Sequence, residues 1–233
     1  MTSDRHPKWV GVGVYTLPEA ARLIGANTLR VRRWLEGYRF PRKQGTGQSP
    51  PVFPPQLPVV GGHQAIGFLD LVELLFIKAF RDHGVTLPAI RRAAKEAAGR
   101  WGTDHPFCMK RFATDGRTVF ATIEDEAGDP GLLDLTRSQL AFIGILRPFL
   151  KQLDYDRLGQ TINRWWPLGK NRHVLLDPNI CFGRPVVVQN AVPTEALYRA
   201  VLANGSEAHV ARWYEVSVSS VRAAVQFERH LAA

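Results

Sequence analysis

The sequence predicts a mainly α-helical protein with small β elements, and three recurring signals support this fold class. Capping residues stand ahead of stretches whose apolar residues have helical spacing, beginning with Thr16. Glycines follow several of these stretches where helices commonly end, as Gly25 and Gly37 do. Short runs that alternate between apolar and polar residues surround glycine-containing turns, and they predict β-hairpins between the helices.

The first two helices are predicted from the residues that can begin and end them. Thr16 and Glu19 form a capping box, and Gly25 can end the helix that they begin. Asn27 or Thr28 can cap a second helix. Two short helices joined by a turn that contains glycine make a helix-turn-helix. The apolar residues expected on the buried side of the second helix are Leu29, Val31, Trp34 and Leu35.

The second helix carries Arg30, Arg32 and Arg33, whose guanidinium groups suit phosphates and guanine edges in a major groove. The formal net charge of +9 is also unevenly spread. Residues 1–104 hold 15 Lys and Arg against 8 Asp and Glu, whereas the remaining residues hold 15 against 13. A basic domain attracts polyanions, so the sequence predicts that this helix-turn-helix binds double-stranded DNA.

A hairpin is predicted after the second helix, where Gly61-Gly62 separates two short apolar runs. A hairpin in this place would be the wing of a winged helix. Six prolines between residues 41 and 58 exclude a helix there and predict an extended, mobile loop, which is either part of the wing or a disordered insertion. The residues predicted to contact DNA from the helix, the loop and the wing are Thr28, Arg30, Arg32, Arg33, Arg39, Arg42 and Lys43.

Two longer helices are predicted to follow the hairpin. Residues 69–82 form a strongly apolar stretch, and Thr86 can cap a helix over residues 89–99. The order of these elements over residues 14–100 resembles the MerR-type winged-helix domain, which implies DNA binding. The residues that match the pattern of that family are Ala20, Leu23, Gly25, Arg33, Trp34, Gly84, Thr86, Leu87, Ile90 and Arg91.

The middle of the chain is predicted to form a β-hairpin and a helix. Residues 107–114 and 117–123 alternate around Asp115-Gly116, which is a strong hairpin signal. Thr136 and Gln139 form a second capping box for a helix that packs on the hairpin or forms a dimer seam. Two short strands are expected further on, at residues 165–168 and 173–176.

A short strand and three helices are predicted at the C-terminal end. The strand covers Val186 to Val188, and the helices begin near Thr194, after Ser206, and after Ser217 or Ser219. The last two helices form a second helix-turn-helix. We therefore expect three regions, namely residues 1–104, 105–171 and 172–233. The second helix-turn-helix contacts either DNA or protein, and its candidate residues are Arg212, Ser217, Ser219, Ser220 and Arg222.

This C-terminal pattern is similar to a small domain of VapB-like antitoxins from bacterial toxin–antitoxin pairs, over residues 172–229. The resemblance implies a cytosolic antitoxin that neutralises a PIN-like ribonuclease encoded beside it and represses its own operon. The matching residues are Leu175 or Leu176, Asp177, Pro178, Gly183, Arg184, Pro185, Val186, Val187, Gly205, Ser206, Val210, Ala211, Tyr214, Val216, Ser217 and Val221.

No motif in the sequence predicts catalysis, a cofactor or a metal site. The seven histidines are scattered, and the glycine clusters fit neither a P-loop nor a dinucleotide fingerprint. Cys108 and Cys181 are expected to be two reduced, buried thiols. The N-terminal residues lack the apolar core of a secretory signal, so a cytoplasmic location is expected.

The function predicted from these features is that of a homodimeric DNA-binding antitoxin whose partners are operator DNA and a PIN-like ribonuclease toxin. One alternative is a stand-alone MerR-like transcription regulator whose middle region binds a small molecule. Phe112, Trp165 and Trp166 would line the pocket of such a regulator. Another alternative is an adaptor protein that binds no DNA.

Overall fold

Helices account for more than half of the residues that the structure describes, and the strands pair in small antiparallel groups. The predicted fold class, mainly α with small β elements, is therefore confirmed. The structure is a computed structural model, and the residues that it describes are 9–42, 45–124, 139–170 and 173–232.

The first two helices begin at the predicted caps. Helix α1 (Leu17–Ile24) starts with a capping box, in which the Thr16 N–H donates to Glu19 Oε2 at 2.8 Å and the Glu19 N–H donates to Thr16 Oγ1 at 3.3 Å. Helix α2 (Thr28–Glu36) starts at Asn27, whose Oδ1 accepts from the Leu29 N–H at 2.8 Å. The turn between them contains Gly25 in the left-handed region at φ +64°. The first helix-turn-helix is thus present.

Two hairpins follow α2. Strands β2 (Tyr38–Pro41) and β3 (Thr46–Ser49) pair directly after the helix. Strands β4 (Val59–Val60) and β5 (His63–Ile66) form the predicted hairpin, and β5 also pairs with β1 (Tyr15–Thr16). The expectation of an extended, mobile loop over residues 41–58 is wrong, because β3 is paired and residues beyond it pack on the core. The buried side chains of that part are Val52, Phe53 and Leu57.

Helices α3 (Phe68–Asp82) and α4 (Leu87–Trp101) confirm the two longer helices that the sequence predicts. Eleven of the fifteen residues of α3 are buried, so this helix is the centre of the N-terminal core. The Thr86 side chain accepts a hydrogen bond from the Ala89 N–H at 3.4 Å, which makes it the cap of α4.

The hairpin predicted around Asp115-Gly116 is wrong, since a helix, α5 (Phe112–Glu124), covers these residues after a short 3₁₀ turn (Pro106–Cys108). Phe112, Val119 and Phe120 are buried on one face of α5. Gly116 lies on the same face, and a Cβ atom there would be 2.7 Å from the Phe142 ring. The glycine therefore permits close packing between two helices instead of forming a turn. The rings that contact Phe112 are those of Phe76, Phe80, Trp101, Phe107, Phe120 and Phe142.

Helix α6 (Gln139–Leu150) confirms the one helix predicted for the middle region, although its predicted cap, Thr136, lies outside the described residues. It packs on α5 and α3. Strands β6 (Leu153–Tyr155) and β7 (Ile162–Trp165) then form a hairpin. The strand predicted over residues 165–168 thus ends where it was expected to begin.

The C-terminal region has the predicted short strand followed by three helices, and this strand pairs with the one expected at residues 173–176. Strand β8 (Val174–Leu175) pairs with β9 (Val186–Val187), and the helices are α7 (Thr194–Asn204), α8 (Glu207–Trp213) and α9 (Val218–Ala232). The Ser206 Oγ accepts from the His209 N–H at 3.2 Å. The Ser217 Oγ accepts from the Ser220 N–H at 3.1 Å, so Ser217 caps α9 and Ser219 does not.

One hydrophobic cluster extends from Tyr15 to Leu176, so the core shows no break near the expected boundary at residue 104. A second cluster lies within the C-terminal helices. The N-terminal strand β1 contacts the C-terminal region through the Tyr15 hydroxyl, which donates to the Gly183 carbonyl at 2.7 Å. Gly183 has φ +81°, and a Cβ atom there would lie 2.3 Å from Tyr15 Oη. This close contact orients the C-terminal unit against the strand that precedes α1.

Buried carboxylates attach neighbouring segments to α3. Asp70 Oδ2 accepts from the Gln56 N–H at 2.9 Å and from the Gly67 N–H at 2.8 Å, while its Oδ1 lies 2.9 Å from His105 Nε2. Asp70 is wholly buried. Because buried polar groups are costly without partners, these bonds favour one placement of residues 50–58 beside the helix.

Glu73 performs the same role for the 3₁₀ turn. Its Oε1 accepts from the Phe107 N–H at 2.8 Å and from the Cys108 N–H at 3.1 Å. Its Oε2 is buried and has no hydrogen-bond partner. Burial raises the pKa of the Glu73 carboxyl to about 8, against the opposing effect of the two backbone donors.

The raised pKa of Glu73 predicts a specific pH dependence of stability. Between pH 4.5 and about 8 the folded chain holds a proton on Glu73 that the unfolded chain releases. The free energy of unfolding therefore falls as pH rises through this window. Glu73→Gln retains an oxygen acceptor and does not titrate, so its stability should fall less over the same window. Urea unfolding at a series of pH values measures the difference.

Glu96→Gln is the control for this experiment, because Glu96 lies partly exposed on α4 and pairs with Arg100. It should retain the pH dependence of the wild-type chain. Equal pH dependence in the Glu73→Gln variant and the wild-type chain would contradict the prediction.

Candidate nucleic-acid interface

Helix α2 has one buried side and one exposed side. Val31, Trp34 and Leu35 are buried, with exposed fractions of 0%, 5% and 2%. Their spacing places them on one face, as expected for residues three and four apart. Arg30, Arg32 and Arg33 are all exposed. The arginines predicted to contact DNA are thus displayed on the surface.

Leu29 is not on the buried side of α2, so that part of the prediction is wrong. Its side chain is 53% exposed. Leu29 precedes Val31 by two residues, which places it on the opposite side of a helix with about 3.6 residues per turn. It therefore shares the outward side with Arg33, which follows it by four residues.

Arg30 and Arg33 line a solvent-open pocket of about 360 Å³. The Arg33 guanidinium also lies 5.2 Å from the centre of the Tyr38 ring, within the range of a cation–π contact. Arg81, at the end of α3, contributes a third guanidinium to the pocket. Three cationic groups around one depression suit a phosphate. The remaining residues around it are Trp34, Tyr38, Asp82 and Leu87.

Arg81 is a residue that the sequence did not single out. Its Nη1 donates to the Val85 carbonyl at 2.6 Å, which holds the side chain beside the turn between α3 and α4. Asp82 is the one acidic residue that lines the pocket, and it pairs with Lys78 at 2.6 Å. The sequence places an arginine in the last turn of a predicted helix, but no neighbouring residue indicates that this turn lies beside α2.

Arg32 has a different environment on α2. Its Nε lies 3.9 Å from the Glu36 carboxylate, and both side chains are exposed. An exposed pair of this kind contributes at most about 1 kcal/mol. Arg32 is therefore available to a nucleic acid at little cost.

The β2–β3 hairpin carries Arg39 and Arg42 immediately after α2, and both are exposed. The Arg42 guanidinium lies 5.3 Å from the centre of the Phe40 ring. Arg91 of α4 donates to Ser49 Oγ at 2.6 Å, which ties the hairpin to the helical core. The seventh predicted contact, Lys43, lies outside the described residues, and Thr28 is half-buried at the start of α2.

The candidate residues of the second helix-turn-helix divide into two groups. Arg212 is exposed, and Arg222 is exposed but donates to Glu207 at 2.7 Å. The Ser217 hydroxyl shares hydrogen bonds with those of Ser219 and Ser220 at the start of α9, and Ser220 is buried with 1% exposed. Ser220 is therefore not accessible to a partner. Over residues 174–232 five arginines balance five acidic residues, so the unit lacks the positive charge of the first.

The residues proposed for a small-molecule pocket do not form one. Phe112 and Trp165 are core residues with 0% and 3% exposed. The Trp166 Nε1 donates to Asp154 Oδ2 at 2.8 Å. Core packing accounts for Phe112 and Trp165, and a part-buried hydrogen bond accounts for Trp166.

Within the described ranges, no group of three or more His, Cys, Asp or Glu is placed to hold a metal ion. None of the described helices is long and apolar enough to cross a membrane. Cys108 is buried, and burial raises the pKa of its thiol well above the usual range. Cys181 is exposed, so the expectation that both thiols are buried is wrong for this one.

Two families of known proteins match separate parts of the chain. Residues 13–94 match the profile of a family described as "Putative DNA-binding HTH domain". Residues 174–227 match a family described as "Protein of unknown function (DUF433)". The first match contains both helices of the first helix-turn-helix, the two hairpins and α3.

Relatives that match almost the whole chain come from Mycobacterium tuberculosis. The chain is 26% identical over 225 residues to "Putative antitoxin VapB45" of strain ATCC 25618 / H37Rv, which covers 92% of this chain and 93% of that protein. The crystal structure of Rv2018 from Mycobacterium tuberculosis is similar with a TM-score of 0.69 and 20% identity, covering 93% of this chain and 99% of that one. The fold is thus shared along nearly the whole chain.

Proposed function

We propose that this protein is a cytoplasmic DNA-binding antitoxin that represses its own operon and neutralises a PIN-like ribonuclease encoded beside it. The observation that supports DNA binding most directly is the outward display of Arg30, Arg32 and Arg33 on α2, whose other side is buried. The similarity to a protein named as a putative antitoxin supports the second role.

In the proposed complex, α2 lies in a major groove and the chain acts as a homodimer on a palindromic site. Arg32 faces the bases or the sugar-phosphate backbone beside them, and the pocket of Arg30, Arg33 and Arg81 receives a phosphate. The β2–β3 hairpin, rather than the β4–β5 hairpin predicted as the wing, acts as a wing here, because it carries Arg39 and places it and Arg42 on the backbone. The sequence of α1, α2, hairpins, α3 and α4 supports a MerR-like winged-helix arrangement.

Replacement of Arg30, Arg32 and Arg33 by alanine should abolish specific retardation of DNA from upstream of the operon. The three side chains are exposed, so the fold should remain intact. Each lost phosphate contact should also flatten the dependence of log affinity on log salt by about one unit.

The single variant Arg33→Ala distinguishes a guanine contact of Arg33 from a phosphate contact. A guanine contact would cost about 1–3 kcal/mol at one base pair, whereas a phosphate contact would weaken all sequences equally.

Arg212→Ala together with Arg222→Ala is the control, because these arginines are also exposed but lie in the unit with no net charge. This double variant should bind DNA as the wild-type chain does. Equal binding by the triple variant and the wild-type chain would remove DNA binding by α2 from the proposal.

We place the toxin contact on the C-terminal unit. Trp213 of α8 is 66% exposed, and its ring contacts those of His209 and Tyr214. Exposed tryptophan is frequent among the residues that dominate protein–protein affinity. The absence of net charge on this unit also favours protein over DNA as its partner.

Co-expression with the adjacent gene tests the antitoxin role. The wild-type chain should rescue growth and co-purify with the toxin, and Trp213→Ala should weaken the complex by about 2 kcal/mol or more. Leu158→Ala, at a residue that is 80% exposed in the β6–β7 turn, is the control and should co-purify normally. A neighbouring protein that is harmless alone would remove the antitoxin role. Undiminished binding by Trp213→Ala would move the contact to another surface.

A further inference from the structure

Leu29 occupies the middle of the outward side of α2. At about 100° per residue, Arg33 lies about 40° to one side of Leu29 around the helix and Arg32 lies about 60° to the other. The Leu29 N–H donates to Asn27 Oδ1 at 2.8 Å, so the capping bond fixes the turn that presents its side chain. The leucine is thus held between two cationic flanks.

The two flanks suit the sugar-phosphate backbone. Arg30 and Arg33 face the pocket that Arg81 completes, on one side of the helix. Arg32 lies on the other side, with only an exposed pair to Glu36. When a helix lies in a major groove with its flanks towards the two backbones, the residue between them faces the base edges. In α2 Leu29 holds this position in the first turn, and Glu36, about 20° from it around the helix, holds it in the last turn. The N-terminal residues of a recognition helix are the ones that reach the base edges, which selects Leu29.

The chemistry of a leucine side chain limits what it can contact there. Exposed leucines are common on protein surfaces, so what distinguishes Leu29 is its position between the arginines. All four bases present hydrogen-bonding groups in the major groove, and thymine presents a C5-methyl group as well. An apolar side chain that covers a donor or acceptor of a base takes that group out of water and offers it no hydrogen bond in return. The methyl group of thymine is therefore the matching partner.

We propose that Leu29 determines sequence specificity by contacting the 5-methyl group of a thymine in the DNA that α2 binds. This inference rests on the proposed DNA binding by α2. It adds an apolar contact with a base to the cationic contacts that the proposed function assigns to α2. Arg33, one turn further along, is held at the adjacent position on the same side.

The test compares two forms of the DNA fragment upstream of the operon, one containing thymine and the other containing deoxyuridine at every thymine position. Deoxyuridine pairs as thymine does and lacks only the methyl group. The wild-type chain should bind the deoxyuridine fragment about fourfold more weakly for each protomer on the DNA, which corresponds to about 0.8 kcal/mol for one buried carbon group. Leu29→Ala should bind both fragments equally.

Leu202→Ala is the matched control, since Leu202 is an exposed leucine, 64% exposed, on α7. It should show the same preference for thymine as the wild-type chain. Leucine and alanine both favour helices, and Leu29 and Leu202 both lie outside the core. Both variants should therefore fold.

The outcomes separate this inference from the proposed function. If the wild-type chain binds both fragments equally, or if Leu29→Ala retains the full preference for thymine, the role of Leu29 is overturned while DNA binding stands. If the wild-type chain retards neither fragment, DNA binding itself is overturned, and the role of Leu29 with it.

Discussion

The burial of one side of α2 is the constraint on which the rest of the site depends. Val31, Trp34 and Leu35 pack into the core that α1 and α3 form, and complete burial of such side chains contributes about 1.5–3 kcal/mol each. The Trp34 carbonyl also accepts from the Val52 N–H at 2.8 Å. The helix therefore cannot rotate to hide its arginines without losing this packing. The same packing leaves Leu29 in solvent.

The local parts of this fold follow directly from the sequence. The caps at Thr16, Asn27, Thr86, Ser206 and Ser217 all form bonds to a backbone N–H two or three residues further on. A pattern that spans so few residues is visible without knowledge of the tertiary structure. The helices of both helix-turn-helix units, and the exposed arginines of α2, were accordingly predictable.

The parts that the sequence did not reveal depend on contacts between distant residues. The Asp115-Gly116 pair between two apolar segments predicts a hairpin, but ring packing of Phe112 and Phe120 against α3 and α6 selects a helix. Arg81 joins the arginines of α2 only because α3 ends beside that helix. The Tyr15–Gly183 bond joins residues 168 positions apart. Tertiary packing overrides local propensity in the first case and creates new neighbours in the others.

Dimethyl sulfate protection on the upstream DNA tests the central claim most directly, because the reagent methylates guanine N7 in the major groove and adenine N3 in the minor groove. If α2 lies in a major groove, the bound protein should protect guanine N7 atoms within its site. The placement of α2 in a major groove would be contradicted if the bound protein protected only adenine N3. It would also be contradicted if the guanines of the bound DNA remained fully reactive.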